Sequence, residues 1–212
     1  MLIQPHDRIL FQGDSITHAF RKPEEVGSSY RLGAGWVMMV AARLHAEYPD
    51  WDLQIENRGE CGHTVAMLIE RWDRDCLALQ PTVLNVLAGV NDVIRTFKYG
   101  TGMAHDEFHA TYRDLLDRTR AALPDTRLIL CEPFLLEAGL VNADWLVDLR
   151  GRREIVRDLA SEFGAVFVPL QERFEAAAAS TGAAYWLFDG IHPHASGQWL
   201  IMQAWLQAVG MV

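Results

Sequence analysis

No stretch of this sequence approaches the ~20 consecutive apolar residues that a membrane-spanning helix requires. Cysteine is scarce: Cys61, Cys76 and Cys131 are odd in number, widely spaced and form no C-x-x-C pair. That usage suits buried thiols in a reducing compartment. Positive charge is in deficit, with 19 Lys and Arg against 28 Asp and Glu, a formal net charge of −9. An acidic chain is repelled by nucleic acid and by anionic membrane surfaces, so neither is expected as a partner. A neutral ester substrate is compatible with that charge. The first residues, MLIQPHDRILFQGDS, lack a basic segment followed by an apolar one, so no secretory signal is visible and a cytoplasmic location is expected. No Pro/Gly/Ser-rich linker, charge run or internal repeat divides the 212 residues, and one domain over 1–212 is expected.

Five short apolar runs read as buried strands: Arg8–Gln12, Leu53–Asn57, Thr82–Ala88, Arg127–Cys131 and Ala165–Pro169. Helical spacing fills the intervals. Val37, Val40, Ala41 and Leu44 fall at i, i+3, i+4 and i+7, and Phe108, Tyr112, Leu115 and Leu116 nearly repeat the pattern. A further helix is expected from about Asn142 to Phe163. The last should start near Pro193, since proline suits a first helical position, and end before Gly210. Strands alternating with helices imply βαβ units, hence a three-layer α/β/α sandwich with a parallel, flavodoxin-like sheet of five strands. Ligands in such sheets bind at the carboxyl ends of the strands.

Polar, glycine-rich segments stand at those ends. The first strand runs into Gly13-Asp14-Ser15-Ile16-Thr17, the second into Asn57-Arg58-Gly59-Glu60-Cys61-Gly62-His63-Thr64, and the third into Gly89-Val90-Asn91-Asp92; Asp189-Gly190-Ile191-His192-Pro193 lies near the C-terminus. A serine nucleophile needs a base within hydrogen-bond reach, normally a histidine held by a third group. The oxyanion of acyl transfer needs preorganised donors, which backbone N–H groups and an amide side chain supply. Gly62 can bring its N–H close, and Asn91 carries two amide hydrogens on a short stem. Asp189 and His192, three residues apart, can share one side of a turn, and Pro193 pushes His192 into extended geometry.

Taken in order, Gly-Asp-Ser-Ile-Thr, Asn-x-Gly-x-x-Gly-x-Thr, Gly-x-Asn-Asp and Asp-x-x-His-Pro resemble the four blocks of the SGNH/GDSL hydrolases, from Gly13 to Pro193. The resemblance implies an esterase without a cofactor, with catalytic Ser15, Asp189 and His192. It implies an oxyanion hole of the Ser15 and Gly62 N–H groups and the Asn91 amide. Gly35-Trp36-Val37, Glu70-Arg71-Trp72, Gly89–Val93 and Pro133-Phe134 are similar to the bacterial acetylxylan-esterase-like branch, which implies acetylated oligosaccharide substrates. Ile16 stands where the family nickname has Leu. Glu60, Cys61 and His63 depart from the residues usual around Gly62.

Other roles compete for several of these residues. Asp14 and Asp92 are rival acids, though loop organisation and local hydrogen bonding are their ordinary uses. Gly59 reads as a turn residue. His105 and His109, at i and i+4, or His192 and His194, would be the anchors of a metal-dependent hydrolase, but neither pair has an evident third ligand. Of seven tryptophans, most read as core or as subunit contacts of a homo-oligomer, while Trp186 is the candidate wall of the substrate site. Arg95, just past Asn91, is a candidate substrate contact. Arg21, Lys22, Glu24 and Glu25 should give the site a polar rim.

Overall fold

The computed structural model describes residues 1–25 and 27–211. Its sheet has five strands: β1 (Arg8–Gly13), β2 (Gln54–Asn57), β3 (Val83–Leu87), β4 (Arg127–Cys131) and β5 (Val166–Val168). They pair in the order β2-β1-β3-β4-β5, every pairing parallel. The five expected strands are all present, shifted at their ends by no more than a residue or two. The helices are α1 (Ser15–His18), α2 (Trp36–Glu47), α3 (Val65–Glu70), α4 (Trp72–Asp75), α5 (Val90–Ile94), α6 (His105–Ala122), α7 (Ala143–Glu162), α8 (Gln171–Thr181) and α9 (Ala195–Ala208).

Alternation along the strands builds two cores. Ile9, Phe11, Ile55, Val83, Ile129 and Val168 face a layer that includes Trp36 and Val40 of α2 and Ile201 and Trp205 of α9. Leu10, Leu84, Val86, Leu128 and Leu130 face Leu68 of α3, Phe108 and Tyr112 of α6, and Val156 of α7. Apolar side chains on both faces of β1, β3, β4 and β5 are the reason these strands read as apolar runs, while the edge strand β2 turns Gln54 and Glu56 away from the core. Two of the three fully buried indole N–H groups have acceptors, Trp205 donating to Asn85 Oδ1 at 3.0 Å and Trp72 to Thr119 Oγ1 at 2.9 Å, whereas that of Trp36 has none among the described residues.

The last helix starts two residues later than the proline suggested. Pro193 is held in an antiparallel bridge to Leu187, and the His194 N–H donates to the Trp186 carbonyl at 2.9 Å. Those contacts keep the chain extended through His194, the residue that precedes α9.

Gly59, read from sequence as a turn residue, is a packing residue. A Cβ there would lie 2.4 Å from His18 N and 2.9 Å from Asp14 O, both backbone atoms of the α1 turn. Neither atom belongs to a flexible side chain, so the clash cannot be relieved locally. Gly59→Ala should cost about 1–3 kcal/mol of stability, seen as a lower urea midpoint at unchanged slope. An unchanged midpoint would mean that the loop after β2 can leave α1 at no cost.

Candidate active site

Three loops meet at the carboxyl edge of the sheet because of register. Gly13 at the end of β1 pairs with Leu87 at the end of β3. Two residues beyond the first stands Ser15, and four beyond the second stands Asn91. The crossing is tight: a Cβ on Gly13 would come 2.4 Å from the Leu87 carbonyl oxygen. Asp14 caps the short α1 helix, its Oδ1 accepting from the Ile16 N–H at 2.9 Å.

The fourth segment arrives from the far end of the chain. Ser15 Oγ lies 3.0 Å from His192 Nε2, and His192 Nδ1 lies 2.7 Å from Asp189 Oδ2. Asp189 Oδ1 also accepts from the backbone N–H groups of Ile191, at 3.0 Å, and His192, at 2.7 Å. The carboxylate therefore fixes both the turn and the ring. Burial pushes the Asp189 carboxyl up, but these hydrogen bonds and the facing imidazole outweigh it, so the group sits below the usual carboxylate range. Held ionised, it favours the tautomer with its proton on Nδ1 and leaves Nε2 free to accept from serine.

The other two aspartates have different surroundings. Asp92 Oδ2 accepts from the Val65 N–H at 3.3 Å, and neither Asp14 nor Asp92 reaches an imidazole nitrogen. Burial pushes each carboxyl up to about 7, against backbone hydrogen bonds and, for Asp14, the charge of His192.

The loop between β2 and α3 is pinned at both ends. The Gly59 N–H donates to Asn57 Oδ1 at 2.9 Å and its carbonyl accepts from Arg21 Nε at 2.8 Å. At the other end His63 Nδ1 accepts from Arg71 Nε, and the His63 carbonyl accepts from Asn91 Nδ2, both at 3.2 Å. Gly62 between them has φ +78°, and a Cβ there would meet open space. Backbone conformation, not crowding, is what calls for glycine at 62. Asn91 commits one amide hydrogen to His63 and retains the other. Burial, then Glu60, raises the Cys61 thiol above its ordinary range, so it stays protonated at neutral pH.

Two expected substrate contacts have other partners. The Trp186 indole N–H is turned to Thr181 Oγ1 at 2.7 Å and its ring meets Tyr185 edge-on. Arg95 lines a cavity of about 460 Å³ with Thr64, Met67, Asp92, Met103 and Glu107, and Ser15 and His192 are not among its walls. Arg21, expected on a polar rim, is buried and ion-paired with Glu60. The residue that flanks the histidine is Phe188, stacked on it with centroids 5.6 Å apart. Nothing in the sequence pattern marks it, because its placement depends on the bridge between Leu187 and Pro193.

The histidine pairs do not converge on a metal. Both His192 ring nitrogens are occupied by Ser15 and Asp189, and His105 Nε2 is 3.0 Å from Asp148 Oδ1. Among the described residues no group of three or more His, Cys, Asp or Glu could hold an ion.

This geometry belongs with a known family. The chain is a member of the GDSL-like lipase/acylhydrolase family, whose sequence profile matches residues 11–200, and it is a carboxylic-ester hydrolase. An acetylxylan esterase of Geobacillus stearothermophilus is 32% identical over 99% of this chain and 97% of its own. The crystal structure of Axe2, an acetylxylan esterase from the same organism, superposes with a TM-score of 0.90 at 30% identity, covering 99% of this chain and 97% of that one. A Parabacteroides merdae protein assigned as a GDSL-like lipase reaches a TM-score of 0.95 at 36% identity, covering 100% and 99%.

The buried carboxyls make a pH prediction. Asp14 and Asp92 keep a proton in the folded chain up to about pH 7, whereas the unfolded chain releases it near the ordinary carboxylate value of 3.8. The folded state then binds more protons, so their contribution to stability falls as pH rises from about 4 to about 7 and levels off above. Asp14→Asn keeps the acceptor for Ile16 and should flatten that slope, leaving a higher melting temperature than the parent at pH 8. An unchanged slope would mean that Asp14 is already ionised at pH 5.

Proposed function

We propose that this chain removes acetyl groups from carbohydrate esters, acetylated xylo-oligosaccharides among them, through an acyl-enzyme on Ser15. The observation that carries the reading is the unbroken relay from Asp189 to His192 to Ser15, at 2.7 and 3.0 Å. His192 takes the serine proton as Ser15 attacks the ester carbonyl. The developing oxyanion is held by the N–H groups of Ser15 and Gly62 and by the free amide hydrogen of Asn91. His192 then protonates the leaving alcohol and activates water for deacylation. No step requires a cofactor.

The choice of serine and aspartate is supported by the relative. Two structures of Axe2 are of catalytic mutants, one with a serine and one with an aspartate replaced by alanine. The acetyl preference is supported by the likeness to acetylxylan esterases and by the loop beside the nucleophile. Glu60 is anchored there by Arg21 and by its own N–H, which donates to the Gly13 carbonyl at 3.0 Å. An anchored loop beside the carbonyl leaves little room for a long acyl chain. Among the described residues no helix is long and apolar enough to cross a membrane.

Ser15→Ala should abolish turnover in a protein that melts like the parent, since one hydroxyl at a helix start contributes little packing. A folded variant retaining more than a few per cent of turnover would remove Ser15 as nucleophile. Asn91→Ala should lower kcat by ~10²–10³ with a smaller change in KM; a change confined to KM would make Asn91 a substrate contact. On p-nitrophenyl esters, kcat/KM should be highest for acetate and fall by octanoate, and acetylated xylo-oligosaccharides should release acetate. Preference for octanoate with no acetate released would favour a lipase- or thioesterase-like role.

A further inference from the structure

The leaving alcohol has a defined direction in this site. If Ser15 attacks as described above, the carbonyl oxygen points toward Asn91 and Gly62, and the ester oxygen must lie where His192 Nε2 can hand it a proton. The alcohol therefore leaves along the imidazole, on the side away from the oxyanion donors. An aromatic ring stands on that imidazole. Phe188 lies offset-parallel to His192, with centroids 5.6 Å apart and planes 18° apart, and meets the His194 ring at 5.4 Å and 57°.

Phe188 is also 55% exposed, more open than the half-buried relay it touches. Its placement is rigid. The Phe188 N–H donates to the His192 carbonyl at 3.1 Å, and the Leu187–Pro193 bridge closes the same small loop. An apolar ring held open to solvent beside a proton donor suits an alcohol that is itself half apolar. A pyranose qualifies: its C–H groups can lie on the ring face while its hydroxyls reach outward. The imidazole of His194, exposed at the edge of the Phe188 ring, offers such a hydroxyl a hydrogen-bond partner.

We propose that Phe188 is a specificity-determining residue, an aromatic platform that binds the sugar ring of the leaving alcohol next to His192. This rests on the esterase reading above and adds to it the direction from which the sugar binds. It also reassigns to Phe188 the aromatic wall that the sequence suggested for Trp186, whose indole is committed to Thr181.

The test uses ethyl acetate, whose alcohol is too small to cover the ring, and unacetylated xylotriose as an inhibitor of its hydrolysis. Xylotriose should inhibit the parent competitively, and Phe188→Ala should raise its inhibition constant about 3- to 10-fold. On acetylated xylo-oligosaccharides the same variant should raise KM by a similar factor with kcat within about twofold, and Phe188→Trp should restore both values. Absence of inhibition of the parent, or equal inhibition of parent and Phe188→Ala, overturns the platform. So does a Phe188→Ala variant that changes mass in solution without changing either constant, which would make Phe188 a contact between copies of the chain. Inhibition that depends on Phe188, with no acetate released from any acetylated sugar, would leave the platform standing and sink the deacetylase reading instead.

Discussion

The parallel pairing of β1 with β3, with Gly13 level with Leu87, is the constraint from which the site follows. Two chains that leave the sheet side by side carry Ser15 and Asn91 to the same place. The loop after β2 is drawn in by its own contacts, because Gly59 sits directly on the backbone of the α1 turn. Three of the four segments are thus ordered by sheet geometry and by backbone packing. Only the Asp189–His192 turn must come from a distance, and it carries its own internal hydrogen bonds. A slip of β1 against β3 by one residue would exchange the faces of the strand and destroy both cores as well as the site.

Three aspartates lie in the loops that meet at the site, and environment separates them. Asp189 is half-buried and gathers three hydrogen bonds, which keep it ionised opposite an imidazole. Asp14 and Asp92 are buried with a single backbone N–H each, and burial favours their neutral forms. A protonated carboxyl does not pull a proton from histidine, so below about pH 7 the two neighbours do not compete for it. Asp14 and Asp92 each hold a backbone N–H, and Asp189 holds the ring.

The sheet and the polar loops that meet at its carboxyl edge were legible because both leave local marks. Buried parallel strands are apolar on both faces, and the turns after them need Gly, Asp and Asn for reasons of backbone geometry. The supporting contacts were not legible. Arg21 read as part of a polar rim, yet the Gly59 carbonyl and Glu60, 38 and 39 positions away, enclose it. Trp186 and Phe188 are both aromatic and both close to Asp189 in sequence. Only the Leu187–Pro193 bridge decides which of them stacks on His192 and which turns to Thr181. The same bridge delays α9 past Pro193. Local propensity carries no information about a contact of that kind.

The loop after β2 is fastened at Gly59 and Glu60 and again at His63, with Cys61 exposed between. Structural strength and chemical variety are thereby assigned to different residues. A side chain at 61 can be exchanged without loosening either fastening, whereas exchanges at 59 disturb α1. Natural drift or laboratory selection has one position here at which the exposed surface of the loop can be reshaped while Gly59, Glu60 and His63 keep their places.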